Sequence, residues 1–377
     1  MAKRSIFEEV APGEARKPVA TGVIDAAQSG ARGAIRIWLM VLFGLVTLMI
    51  AVGGLTRLTD SGLSITDWDP IAGAIPPLSA ADWDAAFTAY KGIPEYELQN
   101  KGMSLSEFKA IYWWEWAHRF LGRFVGVVWA LGFITFWAQK KIPPGWTGRL
   151  LVLGALGGLQ GVIGWWMVAS GLEGERVDVA SYRLATHLGL AFIILGLIAW
   201  YVLRLGRTSA DLLQARRVKD ARLVTWGVVL VALAFVQILL GALVAGIDAG
   251  RTWAEWPLMD GGFGPPDPWM IDPLWRNFFE NPGLVQWIHR TSGYAVFVLG
   301  IAAWFIARRS AIRTLRGAFT VVAVGLLLQI ALGVMTVLYS APWHLALLHQ
   351  LAAVALWTLI LRATFLARFP PAQSVRT

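Results

Sequence analysis

The sequence predicts an all-α integral membrane protein with eight transmembrane helices, arranged as two pseudo-symmetric four-helix bundles. Three observations lead there: an apolar composition, eight separate apolar runs of spanning length, and a repeat that matches the first four runs to the last four. Of 377 residues, 56% are hydrophobic and only 15% charged, too apolar for an ordinary soluble protein of this length. Crossing about 30 Å of hydrocarbon takes roughly 20 helical residues. Runs of that length occur near 36–56, 117–138, 149–169, 184–204, 223–246, 287–307, 317–339 and 345–367.

An even number of spans puts both ends on one side, and Lys/Arg bias in the short connections identifies it as the cytoplasmic side. The tail before the first run carries Lys3, Arg4, Arg16, Lys17 and Arg32. The second connection has Lys140, Lys141 and Arg149, the fourth has Arg204, Arg207, Arg216, Arg217, Lys219 and Arg222, and the sixth has Arg308, Arg309, Arg313 and Arg316. The long first connection, Arg57 to Ile111, holds eight Asp/Glu against four Lys/Arg, and the fifth, Ile247 to Gly283, is also net acidic. These two face outward.

Topology therefore accounts for the net charge of +9 without a nucleic-acid partner, since the basic residues are scattered over several connections. The first apolar run starts too late for a cleavable signal peptide, and Glu8, Glu9 and Glu14 argue against a transit peptide. Residues 1–35 read as a cytoplasmic tail, 36–206 as an N-terminal bundle, 207–222 as a cytoplasmic linker, 223–368 as a C-terminal bundle and 369–377 as a second tail. With no cysteine in the chain, disulfides, iron–sulfur ligation and thiolate haem ligation are excluded. A metal here must use His or oxygen ligands.

The repeat pairs the histidines. Glu115-Trp116-Ala117-His118-Arg119 opens the second span as Gln286-Trp287-Ile288-His289-Arg290 opens the sixth. Leu159-Gln160 with Gly164 matches Leu328-Gln329 with Gly333, and His187-Leu188 matches His349-Gln350. Gly53, Leu55, Asp60, Gly62 and Trp68 recur as Gly241, Leu243, Asp248, Gly250 and Trp256. A shift of four spans returns the chain to the same side, so the repeat is parallel rather than inverted. Each half then owns one pair, His118 with His187 and His289 with His349, expected in the first turns of outside-to-inside helices.

One histidine in a membrane helix can simply hydrogen-bond to a neighbouring helix. Four at matching depth point to haem, because two imidazoles facing each other inside a four-helix bundle supply the two axial nitrogens of an iron porphyrin. His344 lies five residues before His349, about 140° round the helix, so it cannot share an iron with it; it caps the pocket or faces water. No His-Glu-x-x-His element supports a zinc hydrolase.

At this point the residues resemble a family. Val52-Gly53-Gly54-Leu55-Thr56-Arg57-Leu58-Thr59-Asp60-Ser61-Gly62-Leu63-Ser64, Glu107-Phe108-Lys109 leading to Glu115-x-x-His118-Arg119, Gln160-Gly161 with Gly164-Trp165-Trp166-Met167-Val168-x-Ser170-Gly171-Leu172, and Trp287-Ile288-His289-Arg290 look like haem A synthases, over nearly the whole chain after the tail. The resemblance implies an eight-helix, pseudo-twofold protein of the bacterial inner membrane. Such a protein oxidises a methyl substituent of haem O to the formyl group of haem A, by stepwise hydroxylation to a gem-diol that loses water. It implies that His289 and His349 ligate a resident haem b and that His118 and His187 line the substrate haem site. It also implies haem O as substrate, with haem O synthase and an electron acceptor as partners beside the membrane lipid. Some members carry paired cysteines in the outer loops; this chain has none, so a thiol relay of electrons is excluded.

Residues i and i+3 share a helix face, so Glu115 is expected beside His118, where it accepts a proton, stabilises developing positive charge, or anchors the helix. The second half has Gln286 there. Arg119 and Arg290 either pair with haem propionates or snorkel to headgroups. Trp68, Trp113 and Trp114 are candidates to cover a porphyrin edge. Two rival functions use the same ligands: a bis-haem electron-transfer cytochrome and a haem transporter or assembly factor. Against the cytochrome, both sites lie on one side of the membrane and no span holds two histidines a dozen residues apart.

Overall fold

The computed structural model describes residues 23–372, with side chains from residue 31. The expected tails lie outside the described residues over 1–22 and 373–377. Among the described residues, eight helices are long and apolar enough to cross a membrane. Numbering these alone, they are α1 Val23–Leu58, α2 Leu105–Ala138, α3 Thr147–Val168, α4 Ser181–Leu205, α5 Ala221–Gly246, α6 Pro282–Arg308, α7 Arg313–Leu338 and α8 Trp343–Arg368. All eight expected runs fall on them, and no strand occurs among the described residues.

Two helices outrun their apolar stretch. The α1 helix is already wound at Val23, and α2 begins at Leu105, well before the apolar run near residue 117. Apolarity marks where a helix lies in lipid, whereas hydrogen bonding and caps decide where it starts. For α2 the start is a capping box. Ser104 Oγ accepts from Glu107 N at 3.3 Å and Glu107 Oε2 accepts from Ser104 N at 2.8 Å. Asp220 caps α5 by accepting from Leu223 N, and Asn281 caps α6 by accepting from Leu284 N, followed by Pro282 at the first helical position.

Packing follows the same order in each half. α1 contacts α2 and α4, and α3 contacts α2 and α4; likewise α5 contacts α6 and α8, and α7 contacts α6 and α8. Between the halves, α4 meets α5 and α8, and α1 meets α8. The main core runs along these central helices, with Leu39, Leu195, Leu230 and Ile360 fully buried, while Val127, Leu131 and Ile134 of α2 and Leu327 and Leu328 of α7 are exposed. Exposed aliphatic rows on fully hydrogen-bonded helices suit a hydrocarbon solvent.

The long first connection is folded rather than slack. Helices Ala80–Lys91 and Pro94–Leu98 sit over the start of α2 through an aromatic cluster of Trp83, Phe87, Tyr90, Phe108 and Tyr112. Phe87 stacks on Phe108 at 4.9 Å and Trp83 meets Tyr112 edge-on at 5.0 Å, geometries aromatic quadrupoles favour. Arg57, at the end of α1, ties the halves together. Its guanidinium reaches Asp60 at 2.8 Å, Asp248 at 2.7 Å and Asp178 at 3.5 Å. Burial pushes the Asp178 carboxyl upward, against the pull of Arg57.

Candidate haem-binding site

The four histidines sit in four equivalent seats. In each, the ring lies against a glycine of the preceding membrane helix, about one turn before that helix ends on the side of the long loops. A Cβ on Gly53 of α1 would stand 2.8 Å from His118 Cε1, and one on Gly164 of α3 would stand 2.8 Å from His187 Cε1. The corresponding distances are 3.1 Å from Gly241 of α5 to His289 and 3.0 Å from Gly333 of α7 to His349. A side chain on Gly53 or Gly164 would force the ring to shift, and one on Gly241 or Gly333 would press on it more lightly.

The expected placement in the first turns of the helices holds for His187, His289 and His349. It fails for His118, because α2 begins at Leu105, outside the apolar run. The depth nonetheless matches, since Gly53 sets it just as the other glycines do. Two seats fall in each half of the repeat, His118 and His187 on α2 and α4 and His289 and His349 on α6 and α8. All four rings are half-buried.

Glutamines bond to the backbone carbonyls of three of the histidines and lie against their rings. Gln160 Nε2 donates to the His187 carbonyl at 2.9 Å and lies 3.3 Å from its Nε2. Gln237 Nε2 donates to the His289 carbonyl at 2.9 Å and lies 3.1 Å from its Nδ1. Gln329 Nε2 donates to the His349 carbonyl at 3.1 Å and lies 3.3 Å from both ring nitrogens. Gln237 escaped sequence reasoning, although the signal was there: Gln160, Gln237 and Gln329 each stand four residues before a seat glycine.

Porphyrin iron fits this donor set. Among the described residues no three His, Cys, Asp or Glu side chains gather to hold a bare metal ion. Pairs of imidazoles instead suit a metal that brings four nitrogens of its own. Nδ1 of His118 and of His187 is buried without a hydrogen-bond partner, leaving those rings unsatisfied by protein groups alone.

Glu115, only 2% exposed, is fastened at both oxygens. Oε2 accepts from Ser64 Oγ at 2.7 Å and from Ile65 N at 2.8 Å, and Oε1 accepts from Arg119 Nε at 3.0 Å and Nη2 at 2.6 Å. Arg119 also donates to the carbonyls of Ile65 and Asp67 at 2.7 and 2.9 Å, so its guanidinium is engaged with the protein. Arg290 is placed differently. Its Nη groups donate to the carbonyls of Trp253 and Leu258, its Nε is buried without a partner, and it lines a cavity of about 280 Å³ with Trp256, Trp287 and Tyr294. Gln286 donates to the Trp253 carbonyl, and its Oε1 has no partner.

Of the remaining candidates, His344 is exposed and meets Trp343 edge-on at 5.7 Å. Trp68 packs edge-on against Trp165 at 5.4 Å, and Trp113 packs on Trp83 and Trp116. Trp114 is 40% exposed.

Residues 36–361 match the profile of the COX15-CtaA family, described as cytochrome oxidase assembly protein. The chain is 65% identical to the haem A synthase of Dinoroseobacter shibae, over 99% of this chain and 98% of that protein. It is 60% identical to the haem A synthase of Ruegeria pomeroyi over 99% of both, and 60% identical to that of Paracoccus denitrificans over 100% of this chain and 99% of that protein.

Proposed function

The chain belongs to the COX15-CtaA family of cytochrome oxidase assembly proteins, and from that footing we propose that it carries out the haem A synthase reaction, oxidising a methyl substituent of haem O to a formyl group. One observation carries the reading to these residues: four glycine-seated histidines, two in each half, with a fastened carboxylate, Glu115, three residues before His118 and an amide, Gln286, three residues before His289.

His118 and His187 hold the substrate haem O in the first half, and His289 and His349 hold a resident haem b in the second. Each half acts as one four-helix bundle around its haem. When bound, haem b supplies a one-electron redox centre for passing electrons onward. Converting methyl to formyl replaces two C–H bonds by a C=O bond. Water supplies the oxygen atom, four electrons leave to an acceptor, and four protons are released. The protein's share is to fix the ring, admit water at the reacting carbon and stabilise charge there.

Glu115 supplies the charge. A carboxylate offers about four lone-pair sites, and all are taken by Ser64, Ile65 and Arg119. That favours a fixed negative charge facing developing positive charge over a base that must first break a hydrogen bond. Arg290, which lines a cavity, and Arg119 are the candidates to meet haem propionates; Arg119 is the more fully engaged with protein acceptors.

The Lys/Arg bias supports both termini on the cytoplasmic side, with the histidine seats near the outer face, and the membrane of this reading is the bacterial inner membrane. Haem O synthase is the supplier such a substrate requires. Mass analysis of haems extracted from the purified protein, made in a host that produces haem O, tests the function. Formyl haem is expected; unaltered haem O or haem b alone would return the chain to a cytochrome or a carrier.

A further inference from the structure

Three of the four histidine seats carry a glutamine, and the fourth does not. Four residues before Gly53, where the other seats have Gln160, Gln237 and Gln329, stands Met49. It occupies the same place. The Met49 methyl lies 3.7 Å from a Cβ position on Gly122, one turn past His118, just as Gln237 Nε2 lies 3.2 Å from that of Gly293, one turn past His289. A second difference accompanies the first. Ser292 Oγ donates to Gln237 Oε1 and so turns the amide's NH2 towards His289; in the repeat the residue matching Ser292 is Leu121. An amide and the hydroxyl that orients it are thus replaced together by two apolar side chains.

We infer that Met49 makes His118 the releasable ligand, so that the haem of the first half is held firmly from His187 alone and can exchange, while the haem of the second half is held firmly from both sides. This rests on the two-haem reading above. A cofactor that stays and a substrate that must enter and leave need different holds, and the chain provides them. His289 and His349 are both tethered, by Gln237 and Gln329; His187 is tethered by Gln160; the His118 ring has only its glycine seat, and its buried Nδ1 has no partner. A glutamine amide that is bonded to the histidine's own carbonyl and packed against its ring leaves the imidazole fewer orientations before the iron arrives, so less rotational freedom is lost on ligation. The untethered ring loses that freedom each time it binds and regains it on release. Met49 is therefore a positioning residue, acting through His118.

The test uses the full-length protein in detergent, loaded with haem in both halves, and follows transfer of haem to excess apomyoglobin together with carbon monoxide binding to the reduced form. The wild type should release its haems in two phases, with carbon monoxide binding confined to the fast-releasing one. Met49→Gln should slow the fast phase about fivefold or more, the size expected of one net hydrogen bond, and should lower carbon monoxide binding. Met49→Leu, which adds no amide, should release haem as the wild type does, and Gln237→Met should speed the slow phase. An unchanged fast phase in a folded, fully loaded Met49→Gln protein would overturn the inference, as would equal slowing in Met49→Leu. If haem content per chain were unaffected by both His118→Ala and His187→Ala, the two-haem reading would itself fall, and this inference with it.

Discussion

A methyl group on Gly164 would stand 2.8 Å from Cε1 of His187, inside van der Waals contact, while Gln160, one turn earlier on the same helix, holds the His187 carbonyl at 2.9 Å. The seat is closed from beneath and its backbone is tied from the side, so the ring can make room only by tilting. Gly164→Ala should therefore tilt the imidazole away from its iron-facing pose and remove most haem from the first half. Gly241→Ala, with 3.1 Å available at His289, should lose less from the second. Haem content per chain, measured by pyridine haemochrome on both purified variants, checks the order; equal retention in the two would show that the helices simply back off.

His289→Ala and His349→Ala should each abolish the low-spin signal of the resident haem b, because one axial ligand cannot keep a six-coordinate iron. Reduced-minus-oxidised spectra of each variant provide the measurement. The first-half haem should remain, since its ligands lie on α2 and α4. A bis-histidine spectrum assignable to the second half in both variants would show that other residues hold the iron.

The spans and the equivalence of the histidine seats were legible because they are periodic: lipid demands long apolar runs, and the repeat sets Glu115 to Arg119 against Gln286 to Arg290. Helix starts were not legible from apolarity, since the capping box at Ser104 and Glu107 begins α2 in the aqueous loop region. The engagement of Arg119 was likewise hidden. Its position beside His118 suggested a propionate partner, but its nearest acceptors are Glu115 on its own helix and carbonyls of a loop about fifty residues earlier in sequence. Arg57 appeared only as part of a motif, because its contact with Asp248 spans the two halves. The glutamines were partly visible, two of them in the repeat, but a role for them required seeing which ring each one touches.

Glu95 should make stability depend on pH. It is 2% exposed with Oε2 unpartnered. Burial, aided by the nearby carboxylates of Glu115, Asp178 and Asp60, raises it from 4.5 to about 8. The folded protein then keeps this proton up to about pH 8, whereas the unfolded chain releases it near 4.5. The stabilising contribution is complete below pH 4.5 and is lost as pH rises towards 8. Glu95→Gln, neutral throughout, should gain thermal stability over the wild type as pH climbs from 5 to 8.5, by roughly a few degrees at the upper end. Melting curves of both proteins in the same detergent across that range provide the test, and a difference independent of pH would mean that Glu95 is not the titrating group.

Glu115→Gln should leave both haems in place while product formation falls by at least about tenfold. The substitution keeps the volume and retains one acceptor oxygen for Ser64 Oγ and Ile65 N, so the segment from Ser61 to Asp67 stays pinned to α2. It removes the charge that pairs with Arg119 at 2.6 Å. An amide is compatible with a haem-ligating neighbour, because Gln286 stands at the same position before His289. Substrate should consequently accumulate as haem O or as its hydroxylated intermediate, and the species found identifies the oxidation that needs the carboxylate. Haem extraction with mass analysis, alongside the optical spectrum, separates the roles of Glu115. Retained haem with little haem A means that its charge acts on the reaction. Loss of first-half haem means that it anchors the fold, and a normal yield of haem A means that the ion pair with Arg119 is dispensable to both.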